Sequence, residues 1–114
     1  MHELSIAQAL LDQLQSIAKR EKSSITGITI SIGTLSGVDA EALEQAFRIA
    51  SEGTPFENSR LDINTVAARV VCHSCKKESS PDFPFLVCEH CGSFDLEITA
   101  GRDMLLQSVE LESS

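Results

Sequence analysis

The chain contains no Trp, no Tyr and only 5 Phe among 114 residues, so flat rings for stacking on bases or sugars are scarce. Cations are scarce as well: 9 Lys and Arg stand against 17 Asp and Glu, a net charge of −8 at pH 7. Nucleic-acid binding needs a basic surface that neutralises phosphates. Here Lys76-Lys77 is the only adjacent basic pair after Lys19-Arg20, so nucleic acid is not an expected partner. Acidity of this order suits a metal ion or a basic protein surface. No apolar run approaches the roughly 18 residues of a membrane span, and no membrane segment is expected. The first residues carry Glu3 and Asp12 among regularly spaced apolar positions, unlike a secretory signal. The expected compartment is the cytoplasm, where thiols stay reduced and paired cysteines usually mean metal. No Ser/His/Asp set, paired catalytic carboxylates or phosphate-cradling glycine loop is evident, so the chain does not read as an enzyme.

What the chain does have is a well-spread aliphatic content, 42% hydrophobic residues, enough for one domain or a small domain with an appendage. Residues 3–21 read as an amphipathic helix: Leu4, Ala7, Leu11, Leu14 and Ala18 share a face that Leu10 and Ile17 widen. Ser23-Ser24 is expected to end it. Residues 27–35 alternate, with Ile28, Ile30 and Ile32 opposite Thr29, Ser31 and Gly33, which predicts a strand with one buried face. Ser36-Gly37-Val38-Asp39 offers a Ser-x-x-Asp start for a second helix whose apolar positions are Ala42, Ala46, Phe47 and Ala50. Gly53-Thr54-Pro55 stops it. Residues 60–71 read as a second strand, and 94–99 and 104–111 as extended segments around a turn at Ala100-Gly101-Arg102. The expected fold is α+β: two helices on a three-stranded sheet, with a small insertion. The expected division is residues 1–70 plus 100–114 for the main domain and 71–99 for the insertion.

All 4 cysteines fall in two Cys-x-x-Cys pairs, Cys72-His73-Ser74-Cys75 and Cys88-Glu89-His90-Cys91. Two intervening residues let both thiolates of a pair reach one ion, and two such knuckles complete a tetrahedron, so structural zinc is the expected occupant. A redox dithiol and a pair of disulfides are the competing chemistries for the same residues. The segment has few apolar residues beyond Phe83, Phe85, Leu86 and Val87, so it needs a metal to fold. His73 and His90 read either as surface residues flanking the ligands or as alternative ligands. At the other end, Met1-His2-Glu3 places an amine, a backbone nitrogen and an imidazole where fused chelate rings can close around one metal. The backbone nitrogen of Glu3 can complete a square plane, a donor set that suits Ni(II) or Cu(II). By itself Glu3 is a favourable charge at a helix start.

Taken together, these features resemble the HypA/HybF family of hydrogenase nickel incorporation proteins. The matching residues are Met1-His2-Glu3-Leu4-Ser5, Gly33-x-Leu35-Ser36-Gly37-Val38, Glu41-Ala42-Leu43, Ala46-Phe47, Gly53-Thr54, Leu61-x-Ile63, both cysteine knuckles with Cys91-Gly92-Ser93, and Gly101. The resemblance implies a cytoplasmic metallochaperone with Ni(II) as cargo on Met1, His2 and Glu3, and structural Zn(II) on Cys72, Cys75, Cys88 and Cys91. It implies an α+β nickel domain with a protruding zinc ribbon. It also implies work with the nucleoside-triphosphatase HypB and the large subunit of [NiFe]-hydrogenase, and for some relatives with urease and its accessory proteins. A homodimer is an assembly it allows. The chain departs from the family pattern at Lys76-Lys77-Glu78, Glu89-His90, Glu57-Asn58-Ser59 and Val66, and every proposed ligand is retained. Without the resemblance, the alternative is a zinc-ribbon interaction or nucleic-acid module with no nickel function.

Overall fold

The computed structural model describes residues 2–81 and 86–113, apart from the side chains of His2 and Ser113. Helical spacing at the start of the chain becomes helix α1, His2–Glu21. Ala7, Leu10, Leu11 and Leu14 are buried along its inner stripe. Leu4, expected on the same stripe, lies beyond the end of the buried cluster and is 47% exposed. Lys22 takes a left-handed φ of 53° and turns the chain into strand β1, Ser23–Gly33. The pair Ser23-Ser24, expected to end the helix, therefore opens the strand. The last strand, β6 (Met104–Ser113), is long enough to pair with it there, Ser24 against Glu112.

Helix α2 spans Ala40–Ser51, and its N-cap is Asp39 rather than the Ser36 that begins the Ser-x-x-Asp signal. Asp39 Oδ1 accepts from the N–H groups of Glu41 (3.0 Å) and Ala42 (3.2 Å). Ser36 instead accepts from Val38 N–H at 3.2 Å within the preceding turn. On the inner face Leu43, Phe47 and Ser51 are buried, while Ala42, Ala46 and Ala50 are half-buried. Strand β2, Arg60–Val66, then runs parallel to β1. A parallel pair needs a crossover, and α2 supplies it. The resulting sheet has the order β2-β1-β6, with β6 antiparallel to β1. Ile28 lies across from Leu61 and Val109, and Ile30 across from Ile63 and Leu106. Ile28, Ile30 and Leu61 meet Leu10, Leu14, Leu43, Phe47 and Phe56 in one buried cluster, with Ile63, Leu106 and Val109 half-buried against it.

The strand expected over 60–71 is in fact two. After Val66 the chain leaves the first sheet, and Arg69–Cys72 forms β3 in a second one. That sheet has the order β4-β3-β5, with β4 at Glu78–Ser79 and β5 at Leu96–Ala100. Ala67 and Ala68, which have little strand preference, break the run between Thr65-Val66 and Arg69–Val71, but nothing local says that the second part pairs in another sheet. The expected α+β class, two helices and a three-stranded main sheet all hold. Phe83 and Phe85 lie outside the described residues. No helix among the described residues is long and apolar enough to cross a membrane.

Candidate metal centre

Strand β3 delivers Cys72 to one end of the second sheet, where the chain turns at once. Cys72 C=O accepts from Lys76 N–H (2.8 Å) and Cys72 N–H donates to Lys77 C=O (3.0 Å). The second knuckle repeats this pattern: Cys88 C=O accepts from Gly92 N–H (2.9 Å), and Cys88 N–H donates to Ser93 C=O (2.9 Å). Both turns need a left-handed residue after the second cysteine, Gly92 at φ 75° and Lys76 at φ 64°. Ser74 Oγ lies 3.2 Å from Ser93 Oγ and ties one knuckle to the other.

Together the knuckles bring the four Sγ atoms within 4.8 Å of one another. Cys72 and Cys91 are 3.6 Å apart, as are Cys75 and Cys88. A tetrahedral ion with Zn–S bonds of about 2.3 Å would place its sulfurs about 3.8 Å apart. Backbone N–H groups also point at the sulfurs: Cys75 N–H at Cys72 (3.5 Å), and those of His90 and Cys91 at Cys88 (both 3.4 Å). Such donors soften thiolate charge. The N–H of Cys75 is the main reason that Cys72 is lowered to about 6, against the opposing effect of burial. Cys88 is pushed up by burial, but the N–H groups of Cys91 and His90 outweigh it and leave the thiol lowered. For Cys91 the Ser93 N–H pulls down, yet the Cys72 sulfur, burial and the remaining sulfurs together push it up to about 12. Four thiolates this close repel one another, and a dication at their centre removes that obstacle. The spacing, the amide donors and the soft sulfur set fit a closed tetrahedral zinc site.

The two histidines inside the knuckles have other partners. His73 Nδ1 is 3.0 Å from Asp95 Oδ1, and its Nε2 lies 3.7 Å from Glu97. Asp95 is the first cause of the raised pKa of His73. His90 Nε2 is 3.2 Å from the C=O of Glu78 in β4. Each ring thus braces its knuckle against another segment. Asp95 and Glu97 carry no ligand spacing, so nothing in the sequence marks them.

At the start of the chain, Met1 lies outside the described residues, and His2 and Glu3 begin α1. Glu3 Oε2 accepts from the backbone N–H of Asp39 at 3.2 Å. This contact, with Glu3's own backbone N–H second, holds its carboxyl below the usual carboxylate range. The start of α1 is thereby fastened to the N-cap of α2. Sequence reading took Glu3 and Asp39 as separate signals, because 36 residues separate them.

A family model described as "Hydrogenase/urease nickel incorporation, metallochaperone, hypA" matches residues 1–111. A hydrogenase maturation factor HypA of Aquifex aeolicus is 40% identical over 113 residues, covering 98% of each chain. Its namesake in Nitrosospira multiformis is 39% identical over 112 residues, covering 97% of each. Among solved structures, the nickel metallochaperone HypA of Helicobacter pylori is similar at a TM-score of 0.69 and 27% identity, over 98% of both chains. A second HypA solution structure reaches 0.74 at 28% identity, over 100% of this chain and 98% of the other.

Proposed function

The chain belongs to the HypA family of hydrogenase and urease nickel-incorporation metallochaperones, and from that premise we propose that it carries Ni(II) on its first residues. The cargo is held by the amine of Met1, the backbone nitrogen and imidazole of His2, and the backbone nitrogen of Glu3. A resident Zn(II) sits on Cys72, Cys75, Cys88 and Cys91 and keeps the second sheet folded. We divide the chain into residues 1–70 with 100–114 as the nickel-binding domain and 71–99 as the zinc ribbon, the first residues of β3 and the last of β5 being counted with the former. Nickel goes to the large subunit of [NiFe]-hydrogenase in cooperation with HypB in the cytoplasm, and urease with its accessory proteins is a second recipient. A homodimer is the assembly in which we place the chain.

The observation that carries this reading is that α1 starts at His2. The first N–H groups of a helix have no intrahelical acceptor, so amide nitrogens there can be given up to a metal without breaking the helix. Square-planar nitrogen donors suit Ni(II). The Glu3 carboxylate already serves Asp39 N–H, which favours the backbone nitrogen of Glu3 over its side chain as donor.

The test is metal analysis and nickel titration of untagged protein beside His2→Ala and a form extended by a short peptide before Met1. We expect one zinc in all three, and specific nickel only in the first. Equal nickel binding by the extended form would remove the amine from the site. Zinc without nickel in the authentic protein would leave the interaction-module alternative.

A further inference from the structure

Only two short links join the sheets, Ala67-Ala68 between β2 and β3 and Gly101–Asp103 between β5 and β6. Two adjacent links define an axis about which the cysteine-bearing sheet could swing. The turn that follows β1 lies across both. Thr34 N–H donates to Val66 C=O (2.9 Å), Leu35 N–H to Gly101 C=O (2.8 Å), and Gly33 N–H to Asp103 C=O (2.9 Å). Backbones touch here: a Cβ on Gly33 would lie 2.2 Å from the Gly101 carbonyl, and one on Gly101 2.6 Å from Ala68 Cα.

The backbone of Ala68 is gripped from both bodies. Its N–H donates to Thr34 Oγ1 at 3.1 Å, from the helical side of the junction. Its C=O accepts from Ser80 Oγ, just beyond β4 on the cysteine side. Ala68 is only 2% exposed, so this N–H has little access to water if its partner is lost. Among the described side chains, the hydroxyl of Thr34 is the one that hydrogen-bonds across the junction to Ala68 N–H.

We propose that Thr34 is a positioning residue: its hydroxyl locks the Ala68 pivot and holds the cysteine sheet at one fixed orientation to the helical layer. The two bodies then turn in solution as one. The same turn continues through Ser36 to Asp39, whose N–H holds Glu3. Fixing the pivot therefore also fixes where the cysteine cluster lies relative to the start of α1. This holds whether or not nickel binds there.

The experiment uses the full zinc-loaded chain, labelled for NMR, with Thr34→Val, Thr34→Ala and Thr34→Ser. Residual dipolar couplings of the amides in each sheet report relative orientation, and hydrogen exchange reports the Ala68 N–H. In the native chain and in Thr34→Ser, one alignment tensor should fit both sheets. Thr34→Val and Thr34→Ala should need two tensors, with the Ala68 amide exchanging about tenfold faster or more, while each sheet keeps its own couplings and its zinc. The proposal is overturned if the native chain already needs two tensors, or if both hydroxyl-free variants keep one. It is equally overturned if Thr34→Ser behaves like Thr34→Val, or if the hydroxyl-free variants unfold the helical layer itself.

Discussion

Exchanging the left-handed residues of the two knuckles tests whether they are equivalent turns closed by one metal. Gly92 sits at φ 75°, and a Cβ there would meet nothing within 4 Å. Gly92→Ala therefore carries no steric clash with its surroundings. The cost of a side chain in left-handed backbone, about 1–2 kcal/mol, less the unfolded-chain entropy of Gly, about 0.5–1 kcal/mol, leaves a loss of up to about 1.5 kcal/mol. With the proposed zinc on the four cysteines, folding of so small a ribbon is coupled to metal binding, so the cost should appear as zinc affinity. A loss of that size is a weakening of up to about tenfold. Lys76, at φ 64°, already bears this strain. Lys76→Gly relieves it but adds unfolded-chain entropy of about 0.5–1 kcal/mol, which leaves a gain of up to about 1.5 kcal/mol. Competition with a chromophoric chelator measures all forms on one scale. Gly92→Ala should weaken zinc by the stated factor, Lys76→Gly should tighten it a few-fold, and the double variant should fall between them. A Gly92→Ala protein with native affinity, or a Lys76→Gly protein that binds more weakly, would refute the reasoning that the turns are equivalent.

Cys88→Ala should remove zinc and melt the second sheet, while far-ultraviolet circular dichroism retains the signal of α1 and α2; full retention of zinc would mean a histidine had replaced it. Phe47→Ala, at a position with 0% exposure, should cost about 3–5 kcal/mol in denaturant unfolding, and a loss below about 1 kcal/mol would show that the helical layer is not the core. The Glu3 carboxyl is lowered, chiefly by the Asp39 N–H, so this contact stabilises above the ordinary carboxylate pKa and is lost as pH falls through the lowered one. Glu3→Gln should flatten that acidic part of the pH profile of Tm.

The main sheet was legible because its residues obey their periods. Ile28, Ile30 and Ile32 alternate into the core, and Ala7, Leu11 and Leu14 recur at helical spacing. The cysteine cluster was legible because chelation by Cys-x-x-Cys is a local geometric demand. What escaped was non-local. Ala67-Ala68 interrupts two strand-forming runs, yet nothing in it says that the second run joins another sheet, since only the hydrogen-bond partners of β2 and β3 differ. Ser36 and Asp39 are both competent caps, and the choice fell to Asp39 because Leu43 N–H makes the first helical bond to its carbonyl at 2.9 Å. The braces on His73 and His90, and the Glu3 tie to Asp39, join residues distant in sequence. No spacing rule reaches them.

The donor set proposed for nickel fixes how affinity must respond to acid. The α-amine has a reference pKa near 8 and imidazole near 6.5, and each must be deprotonated to bind. Protons therefore compete below these values, and affinity falls as pH falls. Between pH 7 and pH 6 the amine alone costs close to tenfold and the imidazole about threefold, together about 30-fold. Each amide proton displaced by nickel adds about another tenfold. A site built on carboxylates behaves otherwise. With an ordinary pKa near 4.3, a carboxylate is ionised at both pH values, and the Asp39 N–H keeps Glu3 ionised to lower pH still. Such a site would change by only a few per cent over the same interval. Isothermal titration of authentic protein with Ni(II) at pH 7 and pH 6, zinc content being checked at each, separates the two cases by more than an order of magnitude. A loss of about 30-fold or more, with zinc retained, is the expected result. Affinity that stays level between pH 7 and pH 6 would remove the amine and imidazole from the nickel site.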